Sequence, residues 1–229
     1  VTELVCEGLL RASRALRDGP SEPPQILTTV LGPGLLRGDR HEVVGTVGSD
    51  AALAFGATSA TKVYGGAEET TSSSRWLVAA GGRLELLGEP TIAFEGARYR
   101  STIRVTLGER ARLVILETLT VPPEVRSYDI DLRIFVRRGE TIVAHDVLRL
   151  SSERYGRRIT AIGTLLVESG GGSSENQAIL RKLDALIAAE NTLRAGADLL
   201  ASGAVLLRTL GDDVYTLHAF LQRARRLSN

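Results

Sequence analysis

Between residues 26 and 168 the chain is broken every few positions by Gly, Asp or Pro, and the segments between the breaks are short and rich in Val, Ile, Leu and Thr. Such segments are too brief for helices and have the composition of strands. Two of them alternate cleanly. In "RYRSTIRVTL" Ile103, Val105 and Leu107 share a face, and in "DIDLRIFVR" Ile130, Leu132, Ile134 and Val136 do. Alternation of this kind predicts strands with one face packed and the other wet.

A longer period overlies the alternation. An apolar residue, a turn containing Gly, and a second apolar residue six places on recur as Val47/Leu53, Val78/Leu84, Leu107/Leu113 and Val136/Ile142, with spacings of 31, 29 and 29. The period predicts a coiled stack of similar β units. Unrelated hairpins with turns at similar intervals give the same pattern, so both arrangements stay open.

The pattern changes after residue 168. "SGGGSS" reads as a loop, with Ser174 and Gln177 as a capping box for a helix near 175–194 that ends by Gly196. A last strand in "GAVLLRTL" leads to Asp212 or Asp213 as N-cap of a helix near 212–226. The expectation is a mainly β protein forming a single domain over 1–229. It has a β body at about 26–168 and a small helix–strand–helix appendage at about 174–227.

Composition narrows the function. Basic and acidic residues number 28 and 27, and only four Phe, five Tyr and one Trp accompany them. That balance offers nucleic acid or an anionic membrane no overall field and few stacking platforms. A single cysteine, Cys6, excludes an internal disulfide and fits a reducing compartment. No apolar run reaches the length of a membrane span, and Glu3, Glu7 and three arginines interrupt the first 19 residues where a signal peptide needs an apolar core. A soluble, cytoplasmic protein is expected.

Catalytic motifs find no anchor. "LGPGLLRGDR" lacks the Lys-Ser/Thr and the following helix that a phosphate loop needs. "HEVVG" has Gly45 where a zinc protease has its second His. His145 and His218 read as surface or satisfied core residues. The carboxylates Asp39, Glu42, Glu89, Glu95 and Glu117 fall near turns or strand ends, where most are simply solvated. Arg outnumbers Lys 26 to 2, which draws attention to Lys62 and Tyr64 on one face of a strand in "ATKVY". A solvated polar face explains the pair, and so does a site that needs a compact charge rather than a guanidinium.

Taken in order, "GPGLLRGDR", "ATSATKVYG", "EPTIAFEGARYRSTIRVTL" and "AVLLRTLGDD" resemble the urease accessory protein UreD (UreH) family. The likeness covers residues 26–121 and 204–227. It departs from the family pattern in the single Gly before Asp39, in Gly65 after Tyr64, and in Pro90, which leaves Glu89 one place out of register. The resemblance implies a β-solenoid-like body and a non-catalytic scaffold that, with UreF and UreG, assists nickel insertion into apo-urease. It implies no tightly bound cofactor and only transient nickel, on a path lined by Asp39, Glu42 and Glu95. Lys62, Tyr64, Glu89, Arg98 and Arg208 are the polar or partner residues it assigns. A non-catalytic β-rich binding module with a different partner is the alternative.

Overall fold

The structure is a computed structural model and describes residues 5–17, 19, 22–155 and 160–228. It is mainly β and solenoid-like. The chain enters through β1 (Leu10–Ala12) and β2 (Gln25–Val30), which are antiparallel. The repeated part follows. Strands β3 (Arg40–Val47), β6 (Thr70–Val78) and β9 (Ala97–Leu107) lie parallel in a first sheet, and β4 (Ala52–Ala57), β7 (Arg83–Leu87) and β10 (Arg112–Thr120) lie parallel in a second. Short strands β5 (Thr61–Val63) and β8 (Thr91–Ala93) pair with each other, and β8 pairs with the end of β10. Each coil therefore crosses from the first sheet to the second and returns one layer further on.

The 30-residue period is this coil. Val47 pairs with Val78 and Val78 with Leu107, while Leu53 pairs with Leu84 and Leu84 with Leu113. The turns stack as well: Asp50 N–H donates to Ala80 O and Gly81 N–H to Glu109 O. Asp50, Gly81 and Arg110 occupy the same place in successive turns, with φ of 54°, 68° and 52°. The fourth member departs from the coil. Val136 and Ile142 flank a hairpin between β11 (Tyr128–Arg138) and β12 (Thr141–Ser151), both in the first sheet. Gly139, with φ 57°, has the left-handed conformation of the other turns, but here the bend closes a tight antiparallel hairpin.

The second sheet continues antiparallel, with β13 (Ala161–Glu168) beside β10, β15 (Val205–Gly211) beside β13, and β14 (Arg194–Leu199) at the edge. Every residue of β13 is buried because the first sheet covers one face and helices the other. Those helices are α2 (Ser173–Ala188) and α3 (Val214–Leu227); a single turn, α1 (Ser152–Tyr155), follows β12. Ile179, Leu183, Leu217, Phe220 and Leu221 pack on Val114, Leu116, Leu165, Val205 and Leu207. Gly163 lets α3 lie close: a Cβ there would sit 2.5 Å from Leu221 Cδ1 and 2.6 Å from Leu217 Cδ2. Glu85, wholly buried on β7, ties down the end of α3 by accepting from Arg225 Nε at 2.7 Å.

Three local expectations change. Helix α2 stops at Ala188, and Gly196 lies inside β14 rather than at a helix end. The segment "RAGADL" is poor in β-branched residues, and its exposed edge position hides it from a pattern search. The α2 N-cap is Gly172, with no side-chain cap bond, so Ser174 and Gln177 form no capping box. At α3 the N-cap is Asp213, which accepts from the amides of Tyr215 and Thr216. The C-terminal segment thus contributes two strands to the second sheet. Among the described residues no helix is long and apolar enough to cross a membrane.

Candidate functional site: a polar seam between the sheets

Along the strands that face each other across the interior, the inward residues are apolar at both ends and polar in the middle. On β10 they run Leu113, Ile115, Glu117, Leu119; on β13, Leu166, Thr164, Ile162; on β9, Tyr99, Ser101, Ile103. Register aligns the polar positions. Glu117 stands opposite Thr164 and Thr164 opposite Arg208, while His41 pairs with Ser72 and Ser72 with Ser101 in the first sheet. A polar seam thus runs across the strands. On one side is an apolar cluster containing Leu84, Leu113, Ile115 and Leu166, and on the other a cluster containing Val63, Leu119, Ile130 and Ile162.

Charge in the seam is concentrated at one end. Arg208 on β15 reaches across to β12 of the first sheet, where one guanidinium nitrogen donates to both oxygens of Asp146 at 2.7 Å. Its other terminal nitrogen donates to Thr164 Oγ1 at 2.7 Å. The pair is only partly covered, with side-chain exposures of 27% for Arg208 and 17% for Asp146, and it closes the edge of the sandwich. Deeper in, burial and then the charge of Asp146 push Glu117 up to about 7, against the lowering pull of Arg208. Tyr99 beside it is pushed up to about 12, mainly by burial. Glu117 therefore holds its proton close to neutrality.

A break in the second sheet opens the seam on its helical side. β10 pairs with β7 as far as Leu116 and with β8 from Leu119, so Gly88, Glu89 and Pro90 pass Glu117 and Thr118 without ladder pairing. Pro90 has no N–H to give, and Gly88 lies so close that a Cβ would be 2.9 Å from Leu116 O. The break leaves a cavity of about 50 Å³ lined by Glu89, Tyr99, Ser101, Glu117 and Thr118 among others. Outside it, His218 on α3 places Nδ1 3.1 Å from Thr118 Oγ1 and Nε2 4.0 Å from Glu89 Oε2. Burial holds His218 below its ordinary value despite the nearby Glu89.

The residues singled out in the sequence divide between this seam and the surface. Glu89, Glu117 and Arg208 come together in or at the seam. Asp39 accepts from its own turn, Leu36 N–H donating to its Oδ2 at 2.7 Å. Glu42 pairs with Arg75 on the exposed face of the first sheet. Glu95 accepts from Arg126 N–H at 2.7 Å. Lys62 is exposed and makes no ion pair among the described residues, while Tyr64 stacks on Phe94 with ring centroids 4.9 Å apart. Gly34 is what lets the Gly-rich turn lie against this strand, since a Cβ there would be 2.5 Å from Lys62 O. Arg98 donates to Ala67 O at 2.8 Å. Among the described residues no three His, Cys, Asp or Glu side chains converge to hold a metal.

Sequence reasoning missed Asp146, Thr164, Ser101 and the contact made by His218. The signal was present for two of these. Asp146 occupies an inward position between Ala144 and Leu148 on an alternating strand, and Ser101 occupies one between Tyr99 and Ile103. A charged or polar residue on the buried phase of a strand has to be paired or functional.

The sequence also matches known proteins. The family model described as UreD urease accessory protein matches residues 1–229. The urease accessory protein UreD of Sorangium cellulosum is 30% identical over 216 residues, covering 87% of this chain and 67% of that one. That of Pseudomonas putida is 32% identical over 198 residues, covering 83% and 69%. That of Lysinibacillus sphaericus is 25% identical over 230 residues, covering 93% and 84%. Matched over residues 1–229 by the family model and over most of its length by relatives of that description, the chain belongs to the UreD urease accessory protein family.

Proposed function

We propose that the chain is a non-catalytic scaffold of urease maturation in the cytoplasm, assisting nickel insertion into apo-urease together with UreF and UreG, and that the seam is the path the cargo takes. The observation that carries this reading is Glu117: a carboxylate set between two apolar clusters, beside a cavity, with a proton it holds near pH 7. A divalent cation arriving there displaces that proton and is bound by hard oxygen donors, which hold nickel weakly enough to release it. Asp146 supplies a second carboxylate, held by Arg208. The path differs from the Asp39, Glu42 and Glu95 route expected from the sequence. Those residues bind turn amides or a surface arginine.

Partners would meet the outer face of the first sheet. Val44 and Leu77 stand exposed there, and Arg98, Arg104 and Arg137 carry no carboxylate partner among the described residues. The test is to remove this chain from a host that carries the urease genes and to measure urease activity and bound nickel at limiting nickel. The enzyme should accumulate in its apo form. Full activity without this chain overturns the proposal.

A further inference from the structure

The seam's helical mouth carries a feature that a passive conduit does not need. Glu89 lines the cavity beside Glu117, yet its side chain is 39% exposed, so it belongs to both the interior and the surface. Facing it is His218, 14% exposed, with Nδ1 engaged by the Thr118 hydroxyl and Nε2 turned towards the carboxylate. An imidazole held through one nitrogen can ligate through the other, as metal-binding histidines do, once a cation displaces the Gln222 amide that shares Nε2. Gln222, one helical turn on, places its amide nitrogen 3.3 Å from the same Nε2.

We propose that Glu89 and His218 form a transient site for a divalent transition-metal cation at the mouth of the seam, selecting nickel-class ions before they reach Glu117. The proposal rests on the nickel-delivery reading and adds to it the step that discriminates. Two ligands each about 2.1 Å from one cation stand roughly 3.0 Å apart when adjacent and roughly 4.2 Å apart when opposite. The observed Nε2 to Oε2 distance of 4.0 Å lies within that span. Carboxylates discriminate poorly against magnesium and calcium, whereas an imidazole favours the later transition metals. With two protein ligands the site holds its ion loosely, and Glu117 lies on the same cavity to receive it.

The experiment is NMR of the full chain, following its three histidines during titration with nickel chloride and, separately, magnesium chloride. The expected result is saturable paramagnetic broadening of the His218 ring signals at substoichiometric to millimolar nickel, with no saturable shift on magnesium addition. Glu89→Gln, at a half-exposed position, should weaken the nickel effect at least tenfold while the His145 signals stay unchanged. Absence of saturable broadening at His218, an equal response to magnesium, or an unchanged response in Glu89→Gln each overturns the site. The conduit reading stands or falls separately, on urease activation by the Glu117→Gln variant. Nickel binding at His218 with normal activation by Glu117→Gln would keep the site and sink the conduit.

Discussion

The interior has two kinds of region built on the same strands. On either side of the seam, Leu84, Leu113, Ile115 and Leu119 fill the space between the sheets with nothing but hydrocarbon. Two residues along the same β10, the interior holds Glu117, and across from it Thr164 and an arginine. β10 runs through both regions, so the difference lies in the side chains and in the break beside Glu117 where β7 gives way to β8. It teaches that the flanks carry the stability that lets the seam keep polar groups which, by themselves, oppose folding.

That division can be broken in graded ways. The largest effect is expected from the flank: Leu113→Ala removes a fully buried side chain and should cost about 3 kcal/mol of unfolding free energy, read from urea titrations. Its effect on urease activation should follow the folded fraction alone.

The next is electrostatic. An acid whose pKa is higher in the folded protein than in the unfolded chain is bound more tightly to its proton by the fold. Its contribution is fully present below the unfolded value, and is lost as the pH rises through the folded one. For Glu117 that window runs from its ordinary 4.5 to about 7. The wild-type protein should therefore lose on the order of 2–3 kcal/mol between pH 5 and pH 8 from this group. Glu117→Gln should flatten the profile and be at least as stable as wild type at pH 8. A variant with the wild-type slope would show that Glu117 titrates normally.

A smaller loss is expected at the seam's edge. Arg208→Ala leaves Asp146 and Thr164 without their partner and should cost about 2 kcal/mol, less than a fully buried pair because both side chains are partly solvated. The double variant Arg208→Met with Asp146→Leu should recover most of that loss, since an apolar pair extends the flank into the seam. Smallest is Arg110→Gly, which relieves a left-handed conformation at the end of a coil and should raise stability by up to about 1 kcal/mol.

The sequence made these regions legible to different degrees. Coils could be read because each one repeats an apolar residue, a left-handed turn position and a second apolar residue, and the repeat maps onto rungs such as Val47, Val78 and Leu107. The fourth repeat looked alike because Gly139 shares the turn conformation, and only the hairpin register of Arg138 with Thr141 separates it from a coil. β14 was hidden by its Ala, Gly and Asp. Glu117 and Arg208 were each visible as residues, but the seam was not. Its members are brought together by strand register and by one cross-sheet reach, from Arg208 to Asp146. Local patterns carry no signal for such pairings.

The most direct test of the division is to measure stability and function in one variant. Glu117→Gln should unfold at or above the wild-type urea midpoint at pH 7.5, yet restore well under a tenth of wild-type urease activity at limiting nickel in a host that lacks this chain. Activation at the wild-type level by a folded Glu117→Gln protein would contradict the account, and the seam would then be only a tolerated gap in the core.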